Sequence, residues 1–232
     1  MPQESLLSLS LRGPEGQQAL HVLIRNLIVA GWVGRDRQTV QEHVEEMQRF
    51  GIPPPERTPT YMNLTTNLLT TSEILEVISP STSGEVEAVL IRASQRFYLG
   101  LGSDHTDREL EKTDIPASKQ VCGKVLSPEI WDYQEIEDHL DQLRLRSWVV
   151  SGQEERLYQE AHLAANLPPR QLYEDIPGGQ ELKDHSICLF CGTFPTISGI
   201  QYGDRYIIEL EDPVLDRRIR HGYTVKILPQ YL

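Results

Sequence analysis

The sequence predicts an α+β fold that is mainly β, with a few peripheral helices. Short apolar segments recur along the 232 residues, and polar turns separate them at roughly even spacing. Few segments carry the three-and-four spacing of an amphipathic helix, and those that do are not placed regularly between strands. These observations argue against an alternating βαβ array and indicate a mostly β protein.

Strands are predicted where residues alternate between apolar and polar or form a short apolar run. They are Ser5–Leu11, His21–Val29, Tyr61–Asn63, Ile74–Ile78, Glu85–Ile91, Phe97–Gly102, Val121–Val125, Trp148–Gly152, Ser186–Cys191, Tyr206–Leu210 and Tyr223–Leu228. The segment Leu157–Leu167 fits either a strand or a short helix. Ser127 and Pro128 are predicted to begin a turn.

Helices are predicted where a capping residue precedes a suitable segment. Asp36 is a plausible N-cap for a helix that runs to about Phe50. A short helix over Glu109–Thr113 is predicted to stop before Pro116, which leaves Lys119 in a polar link. Further helices are predicted over Tyr133–Leu143 and Pro168–Asp175.

Composition and charge exclude several classes of function. A net charge of −12 without a basic stripe argues against a nucleic-acid partner. No apolar run is long enough to span a membrane, and the N-terminus lacks a signal-peptide pattern. Three cysteines, an odd number, favour a reducing, cytoplasmic location. Cys188 and Cys191 lie among apolar residues, which favours a buried strand pair over a redox or zinc motif.

Carboxylates in two neighbouring segments predict a site for a hard cation. Glu85 and Glu87 stand two residues apart in a predicted strand, so their side chains point to one face. Two like charges that close cost free energy unless a cation lies between them or one is protonated. Asp104, after the next strand, would supply a third carboxylate, a set that suits Mg²⁺, Mn²⁺ or Ca²⁺ better than zinc. The alternatives are a solvated strand face and a helix N-cap at Ser103 or Asp104.

A second candidate pair lies on the predicted N-terminal helix. His43 and Glu46 are three residues apart, which places them on one face of that helix. They fit either a catalytic pair or ordinary surface charge, because this helix is already acidic.

Several stretches, in order, resemble the fumarylacetoacetate hydrolase superfamily, nearest to its bacterial and fungal branch described as a domain of unknown function. The likeness runs from about Gly31 to the C-terminus. The segments that carry it are Gly34-Arg35-Asp36, His43-Val44-Glu45-Glu46, Gly84-Glu85-Val86-Glu87, Ser103–Glu109, Lys119, Cys191–Pro195 and Gly203-Asp204. The resemblance implies a mixed β-roll and β-sandwich core. Residues 1–60 would add N-terminal strands and a lid helix to a catalytic β domain of residues 61–232.

The resemblance also implies roles for the site residues. Glu85, Glu87 and Asp104 match the family's metal ligands. His43, oriented by Glu46, matches a general base on a mobile lid, and Lys119 would stabilise a developing oxyanion. Substrate contacts are expected from Arg35, Arg108 and Thr193, and Asp107 is expected beside the ligands. For Arg108, bracing of the ligand carboxylates is favoured over direct contact with substrate, and a simple β-turn is the alternative for Gly192-Thr193.

The implied activity is metal-dependent hydrolysis of a C–C bond in a 2-oxo acid or 1,3-dicarbonyl (acylpyruvate-like) substrate, through an enolate. Without water as the nucleophile, the same site would decarboxylate, isomerise, hydrate or cyclise its substrate. A non-catalytic binding protein with a degenerate site is the other class. The family resemblance further implies a homodimer.

This chain departs from the family pattern at three places. Asp36 stands where the family has asparagine, and three extra residues precede His43. The family's Phe-x-Lys-Pro segment falls at Tyr61–Asn63, which contains no lysine. The span from Glu87 to Asp104 is also shorter than in typical members. These departures affect the substrate and the reaction rather than the metal ligands.

Overall fold

Two larger β-sheets share a core in the computed structural model, which describes residues 4–14, 16–49, 54–178 and 185–231. Its strands are β1 (Ser5–Gly13), β2 (Gly16–Ile24), β3 (Asn26–Gly31), β4 (Thr60–Leu64), β5 (Leu69–Thr70), β6 (Ile74–Val77), β7 (Thr82–Ser83), β8 (Val86–Ala93), β9 (Arg96–Asp104), β10 (Thr106–Asp107), β11 (Lys124–Asp132), β12 (Arg144–Ser151), β13 (Glu154–His162), β14 (Ile187–Phe190), β15 (Arg205–Asp212) and β16 (Arg217–Ile227). The predicted α+β, mainly β fold is confirmed.

The helices of the described residues are short, apart from the first. They are α1 (Arg37–Arg49), α2 (Arg108–Glu111), α3 (Ile115–Gln120) and α4 (Pro169–Glu174), with 3₁₀ turns at Thr66–Leu68, Tyr133–Glu135, Glu137–Gln142 and Leu163–Ala165. Asp36 caps α1 as predicted, because its carboxylate accepts hydrogen bonds from Gln38 N and Thr39 Oγ1. The predicted end at Phe50 lies outside the described residues. No helix within the described ranges is long and apolar enough to cross a membrane.

The larger sheet has the order β2-β1-β11-β9-β8-β14-β3-β4, with β5 paired to β11. One of its faces packs against the smaller sheet, of order β13-β12-β15-β16-β6, through residues such as Leu90, Leu101 and Ile208. The residues of its other face, from β1 to β14, contact one another in a second core, so this sheet coils around its own interior. A roll joined to a sandwich results, and the N-terminal strands are part of the same sheet as β8 and β9.

The site lies where β8 and β9 pair at the end of the roll. These strands are antiparallel, with Glu87 opposite Gly102, and Asp104 N donates to Glu85 O at 3.0 Å. Gly102 permits a close approach of the next layer, because a Cβ there would lie 2.6 Å from the Phe190 ring. The pairing therefore brings Asp104 beside the two glutamates.

Three sequence predictions were wrong about where elements begin and end. The predicted strand His21–Val29 is two strands broken at Arg25, because Arg25 N and Asn26 N both donate to Ser186 O as the chain leaves β1 for β14. The predicted strand Val121–Val125 instead starts at Lys124 and continues through the predicted turn at Ser127-Pro128. Pro128 is tolerated there because β11 bulges between Leu126 and Ile130.

Two helical predictions also need correction. Lys119 does not lie in a link: Pro116 occupies the first turn of α3, where its missing N–H is not needed, and Asp114 caps that turn. The predicted helix Tyr133–Leu143 is instead a series of 3₁₀ turns, with His139 outside helical geometry at φ of −135°. Its apolar residues are nevertheless buried. Of the two alternatives for Leu157–Leu167, the strand β13 is present as far as His162, and a 3₁₀ turn follows.

The cysteine prediction is confirmed. Cys188 lies within β14 and Cys191 just beyond it, and both side chains are buried. Cys122, Cys188 and Cys191 all carry free thiols. Burial raises the pKa of the Cys188 and Cys191 thiols far above the ordinary value, so both are inert structural residues.

Candidate metal centre

Three carboxylates meet at the end of the roll, as the sequence predicted. One oxygen from each of Glu85, Glu87 and Asp104 lies within 4.8 Å of the other two. Glu87 and Asp104 are buried on strands β8 and β9, whereas 16% of the Glu85 side chain remains exposed. The alternative of a solvated strand face is therefore excluded for Glu87.

Lys119 lies directly over this triad. Its ammonium group donates to Asp104 Oδ2 at 2.6 Å, to Glu85 Oε2 at 3.0 Å and to Thr106 Oγ1 at 3.2 Å. Helix α3 delivers it from the side, and burial leaves the side chain 9% exposed. The two carboxylates outweigh the effect of burial and raise the pKa of Lys119, so the group carries a fixed positive charge.

Two further cations contact the ligand carboxylates: Lys124 contacts Asp104, and Arg108 contacts Glu85. Lys124, fully buried on β11, lies 2.7 Å from Asp104 Oδ1 and donates to His105 O at 2.6 Å. The Arg108 guanidinium lies 3.2 Å from Glu85 Oε1 and also contacts Ser83 and Glu111. Burial alone would raise the pKa of Asp104, but Lys119 and Lys124 together lower that pKa to about 2. Arg108 and Lys119 likewise lower the pKa of Glu85 against the effect of burial.

Glu87 differs from its two neighbours because it lacks a cation. Within the described residues it pairs with no lysine or arginine, and Gly192 N donates to its Oε2 at 2.8 Å. Burial, followed by the charges of Asp104 and Glu85, raises the pKa of Glu87 well above its ordinary value. A divalent ion at this position would remove the penalty.

The donor set fits a hard divalent ion. Two oxygens on opposite sides of an ion at about 2.4 Å are about 4.8 Å apart and neighbouring ligands are closer, and the three carboxylates have oxygens within 4.8 Å of one another. The oxygens of Glu85 and Asp104 already contact a lysine or arginine, but each carboxylate oxygen has a further lone pair to offer. In particular, Asp104 Oδ1 is buried and lies 2.7 Å from the Lys124 ammonium, so one of its two lone pairs is free for an ion. All-oxygen ligation favours Mg²⁺, Mn²⁺ or Ca²⁺ over zinc.

The turn that carries Glu85 is supported by a buried hydroxyl network. Glu85 N donates to Ser103 Oγ at 3.2 Å, and Ser103 Oγ lies 2.8 Å from the hydroxyl of Tyr223. That hydroxyl is also 3.0 Å from His105 Nδ1. Burial and the nearby Lys124 and Arg108 lower the pKa of His105 to about 3, so the ring is neutral. Gly84 is required because Tyr223 and Ser103 occupy the space of a Cβ.

The segment Gly192–Phe194 closes the remaining side of the centre. Gly192 adopts φ of +82°, and Val33 and Ala30 leave no room for a Cβ. The Thr193 hydroxyl donates to Val86 O at 3.0 Å and accepts from Gln159 Nε2 at 2.8 Å. Asn166 Nδ2 donates to Gly192 O at 3.1 Å. This segment is thus fixed on β8 rather than being an unconstrained turn.

The other predicted site residues have different surroundings. Asp107 caps α2 by accepting from Glu109 N and Leu110 N. Arg35 forms a bidentate ion pair with Asp141 at the surface. His43 and Glu46 lie on α1, but their side chains fall outside the described part of the chain. The roles predicted for these residues stay predictions.

Sequence reasoning missed Lys124, Gln159 and Asn166. Lys124 lay in a predicted strand, and its meaning comes from the pairing that sets it opposite Asp104. For Lys124 the available signal was a lysine between apolar residues, because a lysine is seldom fully buried without a partner. Gln159 lies in the mostly polar strand β13, which gave no such signal.

Several solved structures resemble this chain over most of its length. Cg1458 matches with a TM-score of 0.61 at 12% identity, covering 97% of this chain and 100% of that one. A 2-keto-3-deoxyarabinonate dehydratase matches with 0.61 at 17% identity, covering 89% and 75%. Maleylpyruvate hydrolase from Sphingobium sp. SYK-6 matches with 0.53 at 14% identity, covering 90% and 77%. No curated protein matches the chain.

These likenesses confirm the fold of the fumarylacetoacetate hydrolase superfamily. Further structures of the two named enzymes hold magnesium with 2,5-dioxopentanoate and manganese with pyruvate, respectively. A family model described as "Protein of unknown function (DUF2848)" matches residues 30–223, most of the chain. The chain therefore belongs to the DUF2848 family and shares the fold of the solved structures named above.

Proposed function

We propose that this chain is a divalent-metal-dependent enzyme that hydrolyses a C–C bond in a 2-oxo acid or 1,3-dicarbonyl substrate. The observation that carries the proposal is the triad Glu85, Glu87 and Asp104, buried at the end of the roll under the Lys119 ammonium. These carboxylates would hold Mg²⁺ or Mn²⁺, with Ca²⁺ as a further candidate. Once bound, the ion supplies Lewis-acid polarisation of the substrate carbonyl, worth several kcal/mol.

The charge of the cluster favours an anionic substrate. Four carboxylates, including Glu111, face the three cations Lys119, Lys124 and Arg108, so the ionised cluster carries one net negative charge. A divalent ion reverses this to one net positive charge. A substrate carboxylate or enolate then restores neutrality, which supports a 2-oxo acid or an ionised dicarbonyl.

Lys119 is proposed to stabilise negative charge that develops on a substrate oxygen. Its ammonium is fixed by contacts to Glu85 and Asp104, and a preorganised charge of this kind needs no reorganisation during the reaction. Arg108 has a different role in the proposal. Its guanidinium is occupied by Ser83, Glu85 and Glu111, which favours bracing of a ligand over contact with substrate.

The base would come from the lid. His43, oriented by Glu46, is proposed to activate water, as the family resemblance implies. Just before α1, Arg35 N donates to Ala165 O, and the next residue, Asn166, donates from Nδ2 to Gly192 O at the metal centre. These hydrogen bonds attach the start of α1 to the centre, so the helix would move about this attached end. Arg35 would meet substrate only after leaving its ion pair with Asp141.

The substrate class has support from the similar structures, whereas the reaction rests on the family resemblance. One neighbour is a dehydratase and another a hydrolase, and both were solved with a divalent metal and an oxo compound. Decarboxylation, isomerisation or cyclisation would use the same metal and Lys119 without activated water. Loss of turnover in His43→Ala favours hydrolysis, and retained turnover favours one of these alternatives.

The test is calorimetric titration with Mn²⁺ and then with oxalate, a mimic of a 2-oxo acid enolate. We expect oxalate to bind only after the metal, and Glu85→Gln to lose metal binding and turnover of an acylpyruvate panel. Glu111→Gln, which alters a carboxylate outside the triad that also pairs with Arg108, is the control and should still bind Mn²⁺. Parental Mn²⁺ binding and turnover in Glu85→Gln would show that the ligand assignment is wrong.

The homodimer and the cytoplasmic location remain parts of the proposal. The dimer is implied by the family resemblance, and sedimentation of the purified protein would test it.

A further inference from the structure

The backbone of Val86 lies between the two glutamate ligands, and its N–H and C=O face a gap in the sheet. Strand β14 pairs with β8 from Arg92 to Val89 and then ends, and the last backbone bond on that edge is Cys191 N to Ala88 O at 3.0 Å. The N–H and C=O of Val86 point to this edge, because Glu85 O faces β9 instead, where it accepts from Asp104 N. Both groups are buried and need partners.

Two side chains complete the missing ladder. Val86 N donates to Gln159 Oε1 at 3.0 Å, Gln159 Nε2 donates to Thr193 Oγ1 at 2.8 Å, and Thr193 Oγ1 donates to Val86 O at 3.0 Å. These three hydrogen bonds form a closed ring through the N–H and C=O of one residue, Val86, and so hold the two peptide groups that join it to Glu85 and Glu87. The ring joins the ligand strand to the segment that donates Gly192 N to Glu87.

Gln159 is the member of the ring that comes from the second sheet. It lies on β13, is 1% exposed, and has all four hydrogen-bonding positions filled, the other two by Ser147 Oγ at 3.1 Å and Phe194 O at 2.6 Å. A fully satisfied buried carboxamide resists displacement, because any shift leaves a buried polar group unpaired. Gln159 therefore connects the smaller sheet, which contains β13, to the metal centre.

We propose that Gln159 is a positioning residue for the metal centre, acting on the backbone of Val86 both directly and through Thr193. By fixing the backbone on both sides of Val86 it sets the distance and direction of Glu85 relative to Glu87, and it holds Gly192 against Glu87. The inference rests on the proposed function, since it concerns the same three ligands. The Thr193 hydroxyl serves this ring, because its proton goes to Val86 O and is not available to a substrate carboxylate.

The test measures Mn²⁺ affinity by calorimetry and the symmetry of the bound Mn²⁺ by electron paramagnetic resonance. Gln159→Met keeps the length of the side chain and removes all of its hydrogen bonds. We expect its Mn²⁺ affinity to fall about 10–100-fold, the usual effect of losing a group that orients metal ligands. Ser147→Ala is the matched control, because it removes a bond to the same Oε1 atom that is not part of the ring.

Thr193 provides a second, independent probe. Thr193→Ser keeps the hydroxyl and should retain parental affinity, whereas Thr193→Val, of similar shape, should match Gln159→Met. Because both residues act through one ring, the double variant Gln159→Met/Thr193→Val should bind Mn²⁺ about as weakly as either single variant.

The possible outcomes separate the two proposals. Weakened binding and an altered Mn²⁺ spectrum in Gln159→Met and Thr193→Val, but not in Ser147→Ala or Thr193→Ser, support the positioning role. If Gln159→Met melts at a lower temperature yet binds Mn²⁺ like the parent, its role is purely structural and the inference is wrong. Additive losses in the double variant would also overturn it. If the parent itself binds no Mn²⁺, the proposed function fails and the inference fails with it.

Discussion

Glu87→Gln tests whether the buried charge of Glu87 destabilises the metal-free protein and is compensated when a metal ion binds. The substitution keeps the shape of the side chain and an oxygen that can accept the Gly192 N–H. It removes a buried negative charge that has no paired lysine or arginine among the described residues. We therefore expect the variant to be more stable than the parent without metal and to bind metal poorly.

The size of the effect follows from the geometry. The oxygens of Glu87 and of its two neighbouring carboxylates lie within 4.8 Å of one another, and two unit charges at that separation repel by about 3 kcal/mol at an effective dielectric of 20. Glu87 could avoid this repulsion by taking up a proton, but protonating a carboxyl of ordinary pKa at pH 7 costs about 3 kcal/mol as well. Lys119 offsets part of either cost, so we expect a gain of about 1–3 kcal/mol in the free energy of unfolding. For a chain of this size that corresponds to a rise of roughly 3–10 °C in Tm.

The assay is scanning calorimetry of parent and variant in EDTA and in excess Mn²⁺. The parent should gain stability with Mn²⁺ by mass action, about 2.7 kcal/mol at a hundredfold excess over Kd, whereas Glu87→Gln should gain little. Glu209→Gln is the control, because Glu209 is equally buried but pairs with Arg146 at 2.8 Å and Arg220 at 3.0 Å. It should be destabilised, because it loses both ion pairs. A lower Tm of Glu87→Gln in EDTA, or a parental response to Mn²⁺, would refute the reasoning.

Two further predictions concern charges near the sheets. Lys124→Met should lower the free energy of unfolding by about 3–5 kcal/mol in urea melts, because Asp104 would lose a buried partner, and an unchanged midpoint would contradict this. Burial would raise the pKa of Asp212, but the Leu215 N–H, His139 and Arg217 outweigh it and lower that pKa. Its contribution is present above its unfolded pKa of 3.8 and is lost as pH falls through the lower folded value. Between pH 5 and pH 3 the free energy of unfolding of Asp212→Asn should therefore fall less steeply than that of the parent, by up to about 1.4 kcal/mol per pH unit. Equal slopes for parent and variant would show that Asp212 makes no such contribution.

The sequence was sufficient for those parts of the centre that depend on local periodicity. Alternation along the predicted strand Glu85–Ile91 was enough to place Glu85 and Glu87 on one face, because side chains two residues apart in extended backbone share a face, although β8 itself begins at Val86. The position of Asp104 needed one more step, the antiparallel pairing of β8 with β9, and the family resemblance supplied it. The mainly β fold followed from the same alternation.

The residues that were missed depend on contacts between distant segments. Lys124 acquires its role from a strand pairing with Asp104 twenty positions earlier, and Gln159 from the face-to-face packing of two sheets. Neither arrangement leaves a periodic trace in the sequence. The sequence predicts Lys119 in a link because Pro116 can end a helix, whereas proline is also well suited to the first turn of a new one, as in α3.

The 3₁₀ turns after β11 show how tertiary packing overrides a local pattern. The spacing of Ile136, Leu140 and Leu143 predicted a helix with one buried face, and all three side chains are indeed buried. Departure of His139 from helical geometry instead lets its ring reach Asp212 at 3.0 Å. The hydrophobic pattern therefore identified the buried residues correctly but not the backbone that buries them.

The most direct test of the central claim is anomalous diffraction from crystals soaked in Mn²⁺. The account predicts one strong peak per chain, about 2.1–2.4 Å from an oxygen of each of Glu85, Glu87 and Asp104, with Lys119 still beside it. A peak elsewhere, or no peak with the Lys119 ammonium filling the space among the three carboxylates, would contradict it.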